Sequence, residues 1–155
     1  MAQEWLSDPV GFAERGEHPA VLGKMPSGFA VMGSTQFLPG YCLLLASPRA
    51  GRLEELAYPL RARFLADMGL LGEAISVACQ PLRLNYSIYG NTDAYLHAHL
   101  VPRYDWEPAE RRPRPVWDYP RENWRDPALA FDEARHGELK TQISKALEQL
   151  LRDRG

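Results

Sequence analysis

Three patterns in the chain predict an α+β fold, with an antiparallel sheet of about five strands, one long helix packed on it and a second helix at the C-terminus. The first pattern is alternation from Tyr95 to Val101, where Tyr95, His97, His99 and Val101 share one side of a strand and Leu96, Ala98 and Leu100 the other. The second is a pair of apolar, β-compatible runs separated by a turn-forming Pro39-Gly40. The third is helical spacing of apolar residues after Pro59 and again near the C-terminus.

In chain order, residues 1–20 carry no regular pattern, and Trp5, Leu6 and Phe12 are expected to anchor an arm or a short helix. His18, just before Pro19, reads as a loop histidine. The run Ser27–Gly33 and the run Gly40–Ala46 form the first expected hairpin, ended by Ser47-Pro48. Neither run alternates cleanly, which predicts burial on both faces.

Pro59 suits a first helical turn, where its missing N–H is not needed. From there Leu60, Phe64, Met68, Leu71, Ile75 and Ala78 form a buried stripe, and Leu53 and Leu56 belong to a separate turn ahead of it. Gly69 and Gly72 weaken this helix, and close packing on the sheet is the expected reason for both. Pro81 marks the exit. Residues 82–89 alternate, with Leu84, Tyr86 and Ile88 on one side and Arg83, Asn85, Ser87 and Tyr89 on the other. With the turn at Gly90–Asp93 and the histidine strand, they make a second hairpin.

Residues 104–127 hold six acidic side chains and five arginines, so their charges nearly cancel and a nucleic-acid arm is not indicated. Five prolines at this density predict no regular structure, while Trp106, Trp117 and Trp124 argue against plain disorder. An extended segment pinned to the domain or to a second subunit is expected. The closing helix carries Leu139, Ile143, Leu147 and Leu150 on its buried stripe, with His136-Gly137 at its entry. Residues 1–104 therefore read as the main body of the domain, and 105–155 as a Trp/Pro/Arg-rich extension and helix packed on it.

At 155 residues the chain fits one domain, and its net charge of −2 does not favour polyanion binding through bulk charge. No apolar run approaches the roughly 20 residues needed to span a bilayer, and the first residues lack the pattern of an export signal. Cys42 and Cys79 have no CxxC spacing and read as buried thiols, so a reducing cytoplasm is the expected location.

Paired strand histidines suit three chemistries. A His-x-His pair can supply two metal ligands, but no residue stands at a spacing that recommends it as the third. A neutral imidazole, held through one ring nitrogen, can attack phosphorus with the other, while a second histidine binds the phosphate oxygens. The polar turn Gly90-Asn91-Thr92 lies close enough in sequence to offer amides and a hydroxyl to the same anion. The plainest alternative is that both histidines satisfy buried hydrogen bonds.

The stretch His97-Ala98-His99-Leu100-Val101-Pro102-Arg103 resembles the signature of the histidine triad family of nucleotide hydrolases and transferases, including its bacterial diadenosine tetraphosphate hydrolase-like members. The resemblance covers roughly residues 20–104 and includes the Pro39-Gly40 hairpin, Asn85 and Gly90-Asn91-Thr92. It implies that residues 1–104 are the catalytic, nucleotide-binding domain, with a nucleotidyl-histidine intermediate on His97, His99 on the phosphate and Asn91 and Thr92 as phosphate contacts. Asn85 and Gly90 complete the implied nucleotide-binding set. Tyr95 occupies the first triad position, Gly33 a place where acidic or amide residues often touch the ribose, and Tyr41 and Ala50 places that are frequently histidine. The implied substrates are dinucleoside polyphosphates or nucleoside phosphoramidates, in a homodimer. No metal or other cofactor is required in that scheme; magnesium enters only with the substrate's phosphates. A nucleotide-binding sensor without turnover is the rival from another class.

Overall fold

The computed structural model describes residues 4–154. A 3-10 turn at Glu4–Leu6 leads into a short helix α1 (Pro9–Glu14), whose first turn is capped by the Asp8 side chain accepting from the Gly11 N–H. Five antiparallel strands follow: β1 (Val21–Met25), β2 (Gly28–Met32), β3 (Cys42–Ala46), β4 (Arg83–Ile88) and β5 (His97–Arg103). Their spatial order is β1-β2-β3-β5-β4, so the histidine strand is interior and β1 and β4 are the edges. Register is fixed on both sides of β5, with Leu45 opposite His97 and Cys42 opposite Leu100 on one flank, and Arg83 opposite Arg103 and Ile88 opposite Ala98 on the other. Pro102 lies beyond the last residue of β5 paired to β3, where its missing N–H costs no ladder bond.

Both expected hairpins are present, and one further strand is needed to reach five. It is β1, which pairs with β2 through a bulge between Val21 and Gly23. The long helix α2 (Tyr58–Cys79) ends where Gln80 takes a left-handed conformation and returns its N–H to the Ser76 carbonyl. Two residues, Leu56 and Ala57, separate its start from the 3-10 turn at Leu53–Glu55. Of its two glycines only Gly72 serves close packing, since a Cβ there would sit 2.1 Å from the Tyr86 hydroxyl; at Gly69 a Cβ would meet nothing.

One face of the sheet is covered by α2 and by the C-terminal helix α4 (Glu133–Arg154). Leu22, Ala30, Met32, Leu44, Leu96, Ala98 and Leu100 meet Phe64, Leu71, Ile75, Ile143 and Leu147 there in a continuous apolar core. Cys42 is fully buried in it, while Cys79 is only half-buried, which corrects the expectation of two buried thiols. The helix also begins earlier than its apolar stripe indicates. His136 and Gly137 lie inside its first turns, and His136 Nδ1 accepts from the Asp132 N–H while Asp132 caps the Arg135 N–H. That cap is polar, so apolar periodicity did not register it.

The opposite face receives α1 and residues 104–129. Prolines do not abolish regular structure in the latter; they start it. Pro115 and Pro120 directly precede a 3-10 turn at Val116–Asp118 and helix α3 (Arg121–Arg125), and Pro127 opens a 3-10 turn at Pro127–Leu129. The segment is pinned to the domain by burial of Val116, by Trp124 against Phe37 and Tyr41, and by the Phe131 N–H donating to the Ser34 carbonyl.

The turn between β1 and β2 is tied to α2 by one buried carboxylate. Asp67 accepts from the Ser27 N–H at 2.9 Å and the Ser27 hydroxyl at 2.6 Å, and it meets Arg63 at its outer edge at 3.2 Å. Replacing Asp67 by Ala strands two buried donors, so the variant is expected to unfold about 3 kcal/mol more easily in urea titration. A loss under about 1 kcal/mol would show that the contact is not a tether.

Candidate active site

Burial of Leu96, Ala98 and Leu100 on the helical side turns His97, His99, Val101 and Arg103 to the other face of β5. His97 is 5% exposed and its Nδ1 lies 2.7 Å from the Tyr95 carbonyl oxygen. A carbonyl can only accept, so Nδ1 carries the proton and neutral His97 has its lone pair on Nε2. The ring packs at 4.6 Å from Tyr95 and 4.9 Å from His99. The backbone of residue 95, not its side chain, orients the imidazole.

His99 is held through a different partner. Its Nδ1 lies 2.7 Å from the hydroxyl of buried Tyr41. Burial pushes the Tyr41 phenol above its ordinary range, keeping it protonated, and burial, with the His97 imidazole alongside, pushes His99 down to about 4. A neutral His99 that accepts the Tyr41 proton at Nδ1 carries its own hydrogen on Nε2. With Tyr41 as the donor in this contact, His97 and His99 are opposite tautomers: one presents a lone pair, the other an N–H.

Gly33 and Tyr41 depend on each other. A Cβ on Gly33 would lie 2.4 Å from the Tyr41 ring, so the missing side chain is the space into which the ring fits. Tyr41 thus acts on His99 from one of the positions where the resembled family frequently has histidine.

His97 and His99 line two adjoining cavities. The larger, about 500 Å³, is completed by Tyr89, Gly90, Asn91, Thr92, Asp93 and Trp117. The smaller, about 160 Å³, is walled by apolar and aromatic side chains including Trp5, Val31, Leu43, Leu45 and Tyr95. The structure therefore brings Gly90, Asn91, Thr92, His97 and His99 around one cleft, with Tyr95 in the adjoining pocket. The Tyr95 hydroxyl makes no hydrogen bond among the described residues, and its ring packs on Val10, Val31 and Leu45. Burial and nearby Asp93 push that phenol up to about 12. Asn85 is placed elsewhere: its side-chain oxygen accepts from Arg103 Nη1 at 3.0 Å, and it lines a neighbouring cavity.

Three residues escaped the sequence reading. His18 is buried, its Nδ1 accepts from the Ala20 N–H, and its ring packs 4.6 Å from Trp5 in the smaller pocket; burial pushes it down to about 4. No periodic signal marks it. Trp117 packs edge-on at 4.9 Å from His99 and is stacked on Trp124. Trp106, nearer His99 in sequence, is 59% exposed and stacks on Tyr104 instead. The third is Tyr41, whose likeness to a histidine position was visible but not its bond. Among the described residues no three His, Cys, Asp or Glu side chains converge as a metal site.

No protein-family model and no curated protein sequence matches the chain. Solved structures do. A histidine triad protein from Sinorhizobium meliloti superposes with a TM-score of 0.69 at 20% identity, over 86% of this chain and 93% of that one. One from Marinobacter aquaeolei gives 0.69 at 24% identity, over 84% and 89%. A hypothetical histidine triad nucleotide-binding protein from Sulfolobus tokodaii gives 0.70 at 15%, over 94% and 95%. The five-stranded α+β architecture is that of the histidine triad proteins.

Because His99 and His18 are held near 4 when folded but titrate near 6.5 when unfolded, the unfolded state binds more protons between those values. Stability is accordingly expected to fall as pH drops from about 6.5 towards 4. Ring-carbon NMR should find His99 neutral at pH 5.5; a midpoint near 6.5 would contradict the buried pairing with Tyr41.

Proposed function

We propose that the chain is a histidine triad enzyme that hydrolyses a nucleotide phosphoanhydride, ester or amide through a nucleotidyl intermediate on His97. The observation that carries this reading is the Nδ1 contact to the Tyr95 carbonyl, which leaves the Nε2 lone pair available at the cleft. In the first step Nε2 attacks phosphorus, a P–N bond forms, and the bond to the leaving group breaks with its electron pair on the departing atom. In the second, water attacks the same phosphorus, the P–N pair returns to Nε2, and the surplus proton goes to solvent. The Nε2–H of His99 is suited to a non-bridging phosphoryl oxygen, whose charge grows in both transition states. The aromatic-walled pocket beside His97 suits the base of the nucleotide, and the exposed Asn91 and Thr92 at the cleft mouth suit the phosphates. Asn85 supports the site through Arg103 rather than by touching nucleotide. The protein supplies these groups without a metal, and magnesium would accompany the substrate's phosphates.

A homodimer is proposed on the edge strand β4, whose outer backbone groups are open for pairing and whose neighbourhood exposes Leu82, Tyr86 and Tyr89. Sedimentation at micromolar concentration should give twice the chain mass. The charge balance offers nothing to nucleic acid, and no described helix is long and apolar enough to cross a membrane.

His97→Ala should lower turnover of diadenosine tetraphosphate or adenosine phosphoramidate by more than about a hundredfold, while adenosine monophosphate binding stays nearly unchanged. Equal turnover by the two proteins would end the mechanism. Absence of turnover in the wild type, with nucleotide still bound, would favour the sensor. Tyr95→Phe should keep turnover within about twofold, because the hydroxyl it removes makes no bond and the carbonyl that orients His97 remains. A fall beyond about tenfold would give that hydroxyl a role in the network.

A further inference from the structure

The proposed chemistry occupies His97, His99 and Tyr41 in the smaller pocket and leaves its fourth ring of that kind, His18, without a task. His18 is 6% exposed and is fixed from two sides. Its Nδ1 accepts from the Ala20 N–H at 3.1 Å, and its ring packs 4.6 Å from Trp5. The stretch that carries it is anchored as well. The Ala20 carbonyl accepts from the Met32 N–H at 2.8 Å, at the end of β2, and the Pro19 carbonyl accepts from Lys140 Nζ at 3.1 Å, on α4. The imidazole is therefore held in place before any ligand arrives.

The bond from Ala20 also decides what the other ring nitrogen is. A main-chain N–H only donates, so Nδ1 keeps its lone pair and the hydrogen of neutral His18 sits on Nε2. Burial, which pushes the group down to about 4, keeps the ring neutral near pH 7. Among the described residues this Nε2–H has no acceptor, and it is not sealed in: the buried side-chain atom both sealed and unpaired is Arg61 Nε. The donor is thus open to the space that the ring lines, whose wall is Val31, Leu43, Leu45 and the rings of Trp5 and Tyr95. In such a wall an unpaired donor discriminates, because a ligand that cannot accept leaves it desolvated and unmatched. The half-buried Tyr95 hydroxyl can either donate or accept and so selects less, and Ser34 and Asp93 are exposed.

We propose that His18 determines base specificity: its Nε2–H donates to an unprotonated ring nitrogen of a purine seated among Trp5 and Tyr95. The proposal deepens the reading of this pocket as the place of the base and rests on it. His97 and His99 line both the pocket and the larger cleft, so one nucleotide can place its base at His18 and its phosphorus at His97 Nε2. A purine offers the aromatic wall a larger stacking face than a pyrimidine does. Adenine carries three ring nitrogens that accept, N1, N3 and N7, and a donor fixed in position can meet one of them.

Calorimetry with adenosine monophosphate and its 1-deaza, 3-deaza and 7-deaza analogues tests this without turnover. Each analogue replaces one ring nitrogen by C–H and keeps the shape of the base. Wild type should bind one of the three at least about tenfold more weakly than adenosine monophosphate, and the other two within about threefold of it. His18→Phe keeps a ring against Trp5 and removes the donor, so it should bind all four within about threefold of one another. A histidine with a purely structural role would, when replaced, weaken all four together and leave the discrimination intact. Equal affinity of wild type for all four, or a discrimination that persists in His18→Phe, would overturn the assignment. Should His18→Phe not fold, nitrogen NMR of histidine-labelled wild type decides. The His18 Nε2–H signal should move at saturation with adenosine monophosphate and stay in place with the weakly bound analogue; an identical response to all four overturns the assignment. If wild type binds no adenosine monophosphate, the pocket's reading as a base site falls with it. Discrimination that depends on His18, in a protein that turns over no nucleotide, upholds the base reader and ends the His97 mechanism alone.

Discussion

Burial of Leu96, Ala98 and Leu100 against α2 is the constraint from which the rest of the site follows. A strand has a side-chain period of two, so this burial alone commits His97, His99, Val101 and Arg103 to the opposite face. β5 lies between β3 and β4, and both ladders hold its register. A slip of one residue would drive two imidazoles and a guanidinium into the apolar core, at a cost of several kcal/mol for each unpaired group. Packing on one side thus selects the chemistry on the other.

Each of the four outward residues then organises one part of the cleft face. His97 is oriented by a main-chain carbonyl, which any residue at position 95 would supply; Tyr95 in place of a histidine therefore leaves the proposed nucleophile in its reactive tautomer. His99 takes its tautomer from Tyr41, whose ring occupies the room left by Gly33. Val101 joins Leu38, Tyr41 and Val116 in a small apolar cluster beneath Trp124. Arg103 captures the loop carrying Trp117 and so completes the wall of the cleft. Where the chain departs from the resembled motif, a backbone carbonyl holds His97 and a phenol holds His99.

What the sequence made legible was whatever is periodic. The alternation around His97, the two hairpins and the stripe of α2 correspond to the observed elements because burial on one face imposes the period that was read. β1 escaped because Gly23 and Lys24 interrupt it and a bulge breaks its alternation. The entry of α4 was set late because Asp132 and His136 cap it with polar atoms. Within the site, residues adjacent along the strand were visible and those assembled from afar were not. His18 and Tyr41 reach the histidines by tertiary packing alone. Trp117 reaches His99 because the chain after Arg103 folds back on the sheet, and proximity in sequence carries no knowledge of that turn. Asn85 was read as a nucleotide-binding and orienting residue from its place in a motif; its oxygen accepts from the buried Arg103 guanidinium, a bond the motif does not announce.

The account's central claim is a covalent bond between His97 Nε2 and the phosphorus of a nucleotide. Brief mixing with diadenosine tetraphosphate, denaturation at alkaline pH and peptide mass spectrometry tests it most directly. The account predicts a nucleoside monophosphate adduct on the peptide containing His97, at that residue and not at His99, which is lost on exposure to acid as a phosphoramidate should be. An enzyme that turns over substrate at full rate with no adduct at any mixing time, or an adduct on His99, would contradict it.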